Sequence, residues 1–218
     1  MTEDSNQKTK AGSGQEAVQK ASDRIEPILA HLKVVEAAVD LDKIRTHFDQ
    51  MWEFENGDEL PPEEQYLTTI GLFIYTSHLA MDEYNVNVKR AREYITEAFR
   101  LWMKPELDKM IAEEKASDNP FKTFVDTNIP KVDDVYTWRH FLLEHKQSDE
   151  KGWTFKIKKC WFATFFIRLG RVDIIQTACN FDSIPAEERK DYVDLKLTNT
   201  FAKLGSFCQF KYTPAKKD

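Results

Sequence analysis

Three cysteines and one aspartate stand out in this 218-residue chain as groups able to do covalent or acid–base chemistry: Cys160, Cys179, Asp182 and Cys208. Cys160 follows Lys156, Lys158 and Lys159 and falls where a strand pattern gives way to a helix pattern. Backbone N–H groups at a helix start and nearby cations both favour the thiolate, which is the nucleophilic form. The competing reading is a buried, inert thiol, a common state for cysteine. Cys179 lies near a helix end, three residues before Asp182, and Cys208 lies in a strand beside Phe207 and Phe210, where core packing also accounts for it. A thiol nucleophile needs a base or another source of activation. His140 reaches Cys160 if two strands pair with Phe141 opposite Ile157 and Leu143 opposite Phe155. That register sets His140 opposite Lys158 and Trp138 opposite Cys160. His145 falls on the apolar face and is a weaker choice, while His31 and His47 sit on helices with no partner in view. His78, inside an apolar helix, reads as a hydrogen-bonded core residue.

The intervals between the cysteines are long, and no pair has the short spacing typical of a structural zinc site. Gly-x-Ser-x-Gly, Gly-x-Gly-x-x-Gly, the P-loop and His-Glu-x-x-His are all missing, which weighs against an α/β-hydrolase, a Rossmann dehydrogenase, a P-loop NTPase and a zincin. No cofactor and no metal are expected. The net charge of −6 is dispersed and offers no basic face for nucleic acid. No apolar run approaches the roughly 20 residues that a membrane span requires. The expected partner is a small-molecule substrate, with neither nucleic acid nor membrane. The polar stretch from Met1 to Gln15 lacks an apolar core and does not read as a secretory signal. An odd number of cysteines without a repeat spacing suits a reducing, cytoplasmic setting.

These residues need elements to position them. Residues 1–15 read as a disordered tail, and 16–218 as a single domain with a helical part at 17–130 and a site-bearing α+β part at 131–213. Ile25, Ile28, Leu29, Leu32 and Val35 form one helical stripe, with Pro27 in its first turn. Leu41 to Trp52 forms another, stopped by Asn56-Gly57-Asp58. Pro61-Pro62-Glu63-Glu64 opens a helix that is apolar nearly all round to Met81. A further helix runs from about Asn85, broken or kinked at Pro105, and Asp118-Asn119-Pro120 starts the next. After Ile129-Pro130 the period changes. Residues 136–145 and 153–159 read as two strands, with a helix as the alternative for Val135 to His145. Short helices follow at Trp161 to Leu169 and Val172 to Cys179, then a turn at Asn180-Phe181-Asp182-Ser183 and a helix from Pro185. Strands near 193–200 and 207–213 close the chain, with Leu195 opposite Tyr212, Leu197 opposite Phe210 and Asn199 opposite Cys208. The fold class is α+β: an N-terminal helical scaffold packed on a small antiparallel sheet of about four strands, with short helices inserted.

The series Phe155-x₄-Cys160-x₄-Phe165, Leu169-Gly170, Cys179-Asn180-Phe181-Asp182, then Thr198-x-Thr200-x-Ala202-x₂-Gly205-x₂-Cys208-x-Phe210 resembles the L-2-amino-thiazoline-4-carboxylic acid hydrolase family. The match covers roughly residues 150–212. It departs from the family pattern at Leu197, where the family tends to have Arg before the first Thr, at Asn199 between the two threonines, and at Gln209, where the family has Asp. Loss of the Arg removes a guanidinium suited to clamping a carboxylate. The resemblance implies a hydrolase acting on a C=N or C–N bond of a small heterocyclic or amino-acid-derived metabolite, with a changed substrate, as in a tailoring step of specialised metabolism. It implies catalysis by Cys160 as nucleophile, His140 as proton carrier and Asp182 as the group orienting a partner or a water. Trp138, Cys179, Thr198, Asn199, Cys208 and Gln209 are then expected around the substrate. An isomerase or cyclase using the same pocket, and a binding domain that has lost turnover, are the alternatives.

Overall fold

The computed structural model of the chain describes residues 20–136 and 139–216. Five helices come first: α1 (Glu26–Val35), α2 (Leu41–Phe54), α3 (Pro62–Glu83), α4 (Val88–Lys115) and α5 (Pro120–Val135). Local signals start them. Pro27 stands in the first turn of α1, and Asp40, Asn87 and Asn119 cap α2, α4 and α5 by accepting from the backbone N–H groups of Lys43, Arg90 and Lys122. Each such cap is worth about 1 kcal/mol. α3 is the centre of the helical part. It buries Ile70, Phe73 and Ile74 as well as Thr76, Ser77 and His78, as a helix apolar nearly all round must. His78 Nε2 shares a hydrogen bond of 2.9 Å with Thr177 Oγ1, the core role expected of it. Burial lowers its pKa to about 3, so the ring is neutral.

Two interior prolines fail to end their helices. α4 runs through Pro105 and α5 through Pro130. Each proline removes one backbone hydrogen bond. The helical stripes on both sides, with Phe99 and Leu107 on α4 and Phe121, Phe124 and Val125 on α5, remain buried and hold the axis. The change of period expected after Pro130 therefore comes later. Residues 131–135 are helical, and the first strand, β1 (Leu143–Asp149), starts well beyond residue 136.

β1 pairs with β2 (Gly152–Ile157), and after α6 (Trp161–Arg168) and α7 (Ile175–Glu187) come β3 (Val193–Thr198) and β4 (Cys208–Pro214). The sheet order is β1-β2-β4-β3, antiparallel throughout, so this is an α+β fold with helices inserted between hairpins. The β1–β2 register differs from expectation by two residues: Leu143 faces Ile157 and His145 faces Phe155. A two-residue slip keeps every side chain on its face, so the alternating pattern alone does not distinguish the registers. His140 consequently lies before the strand and not opposite Lys158. The position expected for Trp138 lies outside the described residues. The β3–β4 register is as expected, with Leu195 opposite Tyr212 and Leu197 opposite Phe210, but pairing ends at Thr198 opposite Gln209. Asn199 turns into the left-handed region at φ 53° and leaves the sheet, so it does not continue the ladder opposite Cys208.

One face of β2 and β4 is aromatic. Trp153 stacks on Tyr212 with ring centres 4.9 Å apart, and Phe155 stacks on Phe210 at 4.8 Å. Phe124 of α5 packs against this row, 5.4 Å from the Tyr212 ring. Cross-strand aromatic pairs of this kind add a few tenths to about 1 kcal/mol each. The sheet thereby presents a flat apolar wall to α5 and α7. Among the described residues no helix is long and apolar enough to cross a membrane.

Candidate functional site

The sequence suggested a turn at residues 180–183, but α7 carries straight through it and through Pro185. That continuity puts Cys179 and Asp182 one helical turn apart and on one side. Asp182 lines a cavity of about 120 Å³ between α5, α7 and the aromatic wall, together with Asn128, Tyr136, Phe181 and Phe210. Tyr136, just past the end of α5, donates its hydroxyl to Asp182 Oδ1 at 2.7 Å. Asp182 is half-buried, open only in part and surrounded by packed protein. Burial pushes its pKa up to about 7, against the hydrogen bond from Tyr136, which lowers it. Among the described residues no Lys, Arg or His side chain hydrogen-bonds or ion-pairs with it. The carboxyl is an acid held without a cation, poised near neutrality.

A larger cavity of about 490 Å³ adjoins the first and shares Met103, Asn128, Val132, Tyr136, Phe181 and Pro185 with it. Its remaining wall includes Tyr66, Trp102, Met110 and Val135, with Glu106 and Lys131 as its charged residues. A comparable groove of about 480 Å³ lies on α2 beside Asp49, Trp52 and Asn56, and it gathers none of the reactive residues.

The three thiols stand behind Asp182, close enough that its charge raises the pKa of each. Cys160 occupies the N-cap of α6, where the strand-to-helix change was expected. The thiolate expected there does not follow. Burial raises the thiol to about 12, outweighing the backbone N–H groups of Ala163 and Phe162 that pull the other way. Burial likewise raises Cys179 well above the ordinary range and Cys208 to about 11, against the N–H groups of Ala202 and Phe201 respectively. All three are unbridged. Desolvation therefore beats the helix start and makes these groups neutral thiols at physiological pH.

His140 does not join them. It is buried, and its Nε2 lies 3.5 Å from Glu64 Oε1 on α3. His145 pairs with Asp133 at 2.8 Å on the surface. Thr198 and Gln209 face each other across β3 and β4, on the side of the sheet away from Phe210 and Tyr212. Asn199 is an exposed turn residue against which Gly205 packs, with a Cβ there falling 2.4 Å from the Asn199 carbonyl. The structure thus brings Cys160, Cys179 and Cys208 within reach of the Asp182 charge, but of the expected site residues described only Asp182 lines the cavity; the three thiols, His140, Thr198, Asn199 and Gln209 lie outside its lining. Among the described residues no group of three His, Cys, Asp or Glu could hold a metal ion.

Tyr136, Asn128, Phe181 and the aromatic row were not among the residues expected at the site. The one signal for Tyr136 was a tyrosine at the edge of a change in period, and the strand reading of 136–145 concealed it. A buried ion pair was equally unsignalled. Arg189, fully buried, donates through Nε and Nη2 to Glu114 of α4 at 2.7 and 2.8 Å and through Nη1 to the Pro185 carbonyl at 2.8 Å. Its guanidinium lies 5.4 Å over the Phe124 ring. It ties the end of α7 to α4 and so fixes Pro185 and Phe124, two walls of the Asp182 cavity.

Solved structures that resemble the chain include the Fe(II) unliganded H-NOX protein from K. algicida, at 8% sequence identity and a TM-score of 0.43, over 91% of this chain and 98% of that one. A point mutant of the same protein matches at 9% identity and a TM-score of 0.40, with the same coverage. At such scores the likeness carries no inference about fold or ligand. No curated protein matches the chain. A profile of the L-2-amino-thiazoline-4-carboxylic acid hydrolase family matches residues 72–212, which include α4 to β3 and most of β4, and with them Tyr136, Cys160, Cys179, Asp182 and Cys208. That span exceeds half of the chain, and the protein belongs to the L-2-amino-thiazoline-4-carboxylic acid hydrolase family.

Proposed function

We propose that the protein hydrolyses a C=N or C–N bond of a small heterocyclic metabolite in the cavity beside Asp182, with Asp182 as the proton carrier. The observation that carries this reading is an uncompensated carboxyl on a cavity wall with its pKa raised to about 7, in a chain of a hydrolase family. A group of that pKa gives and takes a proton with little cost near neutral pH, which is what acid–base catalysis at a C=N bond requires. The substrate's ring nitrogen and Asp182 share one proton, and the protonated C=N carbon is electrophilic. Water forms a bond to that carbon and loses a proton to the Asp182 carboxylate. That proton then passes to the nitrogen as the C–N bond breaks, and the new hydroxyl gives its proton back to the Asp182 carboxylate as the C=O bond forms. One water is consumed, and nothing is oxidised or reduced. Tyr136 holds the carboxyl in place through the 2.7 Å hydrogen bond and is a positioning residue.

Water and the Cys160 thiol compete for the role of nucleophile. Burial that holds the thiol near 12 favours water. The test is turnover of 2-aminothiazoline compounds followed by mass spectrometry in ¹⁸O-labelled water. The expected result is a product carrying one solvent oxygen, a loss of about 10²- to 10⁴-fold in kcat for Asp182→Asn, and activity within about tenfold of native for Cys160→Ala. Full activity in Asp182→Asn would overturn the role of the carboxyl. A trapped thioimidate on Cys160, with Cys160→Ala inactive, would return the nucleophile to the thiol. Conversion without a mass change would make the protein an isomerase or cyclase, and tight binding with no conversion of any such compound would make it a binding domain.

A further inference from the structure

The two cavities differ in character in a way that limits what can occupy them. The inner one has a single ionisable acid, Asp182, set among aromatic rings that include Phe124, Trp153, Phe181 and Phe210. Its volume of about 120 Å³ approaches that of the roughly 150 Å³ cavity that takes a benzene ring. Aromatic faces attract cations and repel anions. The charged pair Arg189–Glu114 lies behind the wall, with the guanidinium over Phe124 and its charge met by Glu114. The titratable groups on which the Asp182 charge acts are phenols and thiols: Tyr66 on α3, Tyr136 after α5, Cys160 before α6, Cys179 on α7, and Cys208 and Tyr212 on β4. All of these are uncharged at neutral pH. The outer cavity is walled by Trp102, Met103, Met110, Val132 and Val135, and its two charged residues, Glu106 and Lys131, are of opposite sign.

We infer that this site takes a flat cation of amidine type on an apolar ring, with an uncharged extension lying in the outer cavity, and that it rejects ligands carrying a carboxylate. The inference rests on the reading of the Asp182 cavity as the site and deepens it. An amidinium matches a carboxylate in shape and charge, and the aromatic walls add to its binding. A carboxylate on the same ligand meets the faces of the rings and the charge of Asp182, a like-charge juxtaposition that costs several kcal/mol in such surroundings.

Benzamidine and 4-amidinobenzoate test this. Both keep a cationic amidinium across the pH range used, and neither reports on turnover. Calorimetric titration of the native chain at pH 8 should show benzamidine bound at least about tenfold more tightly than 4-amidinobenzoate. Benzamidine affinity should rise about tenfold from pH 6 to pH 8 as Asp182 ionises, and both the affinity and its pH dependence should vanish in Asp182→Asn. The comparison of the two probes needs only the native chain, so it stands whether or not the variant folds. Equal or tighter binding of 4-amidinobenzoate overturns the inference, as does binding of neither probe or unchanged binding in a folded Asp182→Asn. Selective amidinium binding in a chain that hydrolyses nothing would keep this inference and end the hydrolase reading. Hydrolysis with a preference for carboxylated substrates would do the reverse.

Discussion

Replacing Asp182 by Asn keeps the acceptor for the Tyr136 hydroxyl and removes the titrating carboxyl. In the folded chain the carboxyl titrates at about 7, against an ordinary value of 3.8. Protonated in the folded state and ionised in the unfolded state, it makes folding take up a proton between about pH 4 and pH 7. Native stability therefore falls as pH rises through that window, and the loss is complete above it. A shift of roughly three units corresponds to about 4 kcal/mol. The carboxyl borders a cavity that water can enter, so screening reduces this, and about 2–4 kcal/mol is the expected effect. The Asp182→Asn chain should match the native one near pH 4 and exceed it by that amount at pH 8. Urea denaturation of both proteins at half-unit steps from pH 4 to pH 8.5 gives the difference curve. His78 and every surface carboxylate contribute equally to both chains and cancel. A flat difference curve, or a variant less stable than native at pH 8, would refute the account of Asp182 as an uncompensated buried acid. The expected gain in stability is the converse of the expected loss in catalysis, since a site that holds an unpaired acid gives up stability to do so.

The burial of the thiols makes its own prediction. With Cys160 held near 12, only about 10⁻⁴ of it is thiolate at pH 8, against about a quarter for an ordinary cysteine. Iodoacetamide should label it about a thousandfold more slowly than free cysteine, and labelling at the free rate would contradict the burial argument. Arg189→Met leaves Glu114 charged and buried without its partner, at an expected cost of about 3–5 kcal/mol in urea denaturation, much of it recovered by also changing Glu114→Leu. A single variant within about 1 kcal/mol of native would show that the pair does not hold α7 to α4. His78 works in the opposite sense to Asp182. Its folded pKa lies below its ordinary value of 6.5, so its contribution is full above about pH 6.5 and is lost as pH falls toward 3. His78→Gln should flatten the acid limb of the native stability profile, and an unchanged limb would assign acid sensitivity to other groups.

The sequence was most legible where one physical signal dominated. Caps and prolines at first turns marked the helix starts, and the alternation at 195–197 and 210–212 set the β3–β4 register. It was least legible where two local signals disagreed with packing. Pro130 read as a change of period, and Pro185 as the start of a new helix after a turn at 180–183, yet each proline removes only one backbone bond, and the buried faces around it keep α5 and α7 continuous. Those two continuities make the site: one delivers Tyr136 to Asp182, and the other turns Cys179 and Asp182 to the same side. His140 was lost to a two-residue register slip that leaves the face pattern untouched. Arg189 and Glu114, separated in the chain by α5, the β1–β2 hairpin, α6 and α7, carry no local signature at all.

Cys160 concentrates the remaining question, because its position and its surroundings pull in opposite directions. A helix start and three preceding lysines argue for a thiolate. Yet Lys158 turns away to Glu144 of β1, and Lys159 turns to the Arg139 carbonyl. What remains near the sulfur is the pair of N–H groups of Ala163 and Phe162, set against burial, with the Asp182 charge adding to the burial. A cation entering the cavity would neutralise the Asp182 contribution, which is a lesser cause, and would leave the burial in place. Occupancy by such a ligand therefore lowers the Asp182 pKa much more than it lowers the thiol's. The proton moves between ligand and carboxyl, while Cys160 stays protonated. On the proposed acid–base reading the thiols stay neutral, and none of the three lines either cavity, so replacing them one at a time leaves the proton transfer at Asp182 in place.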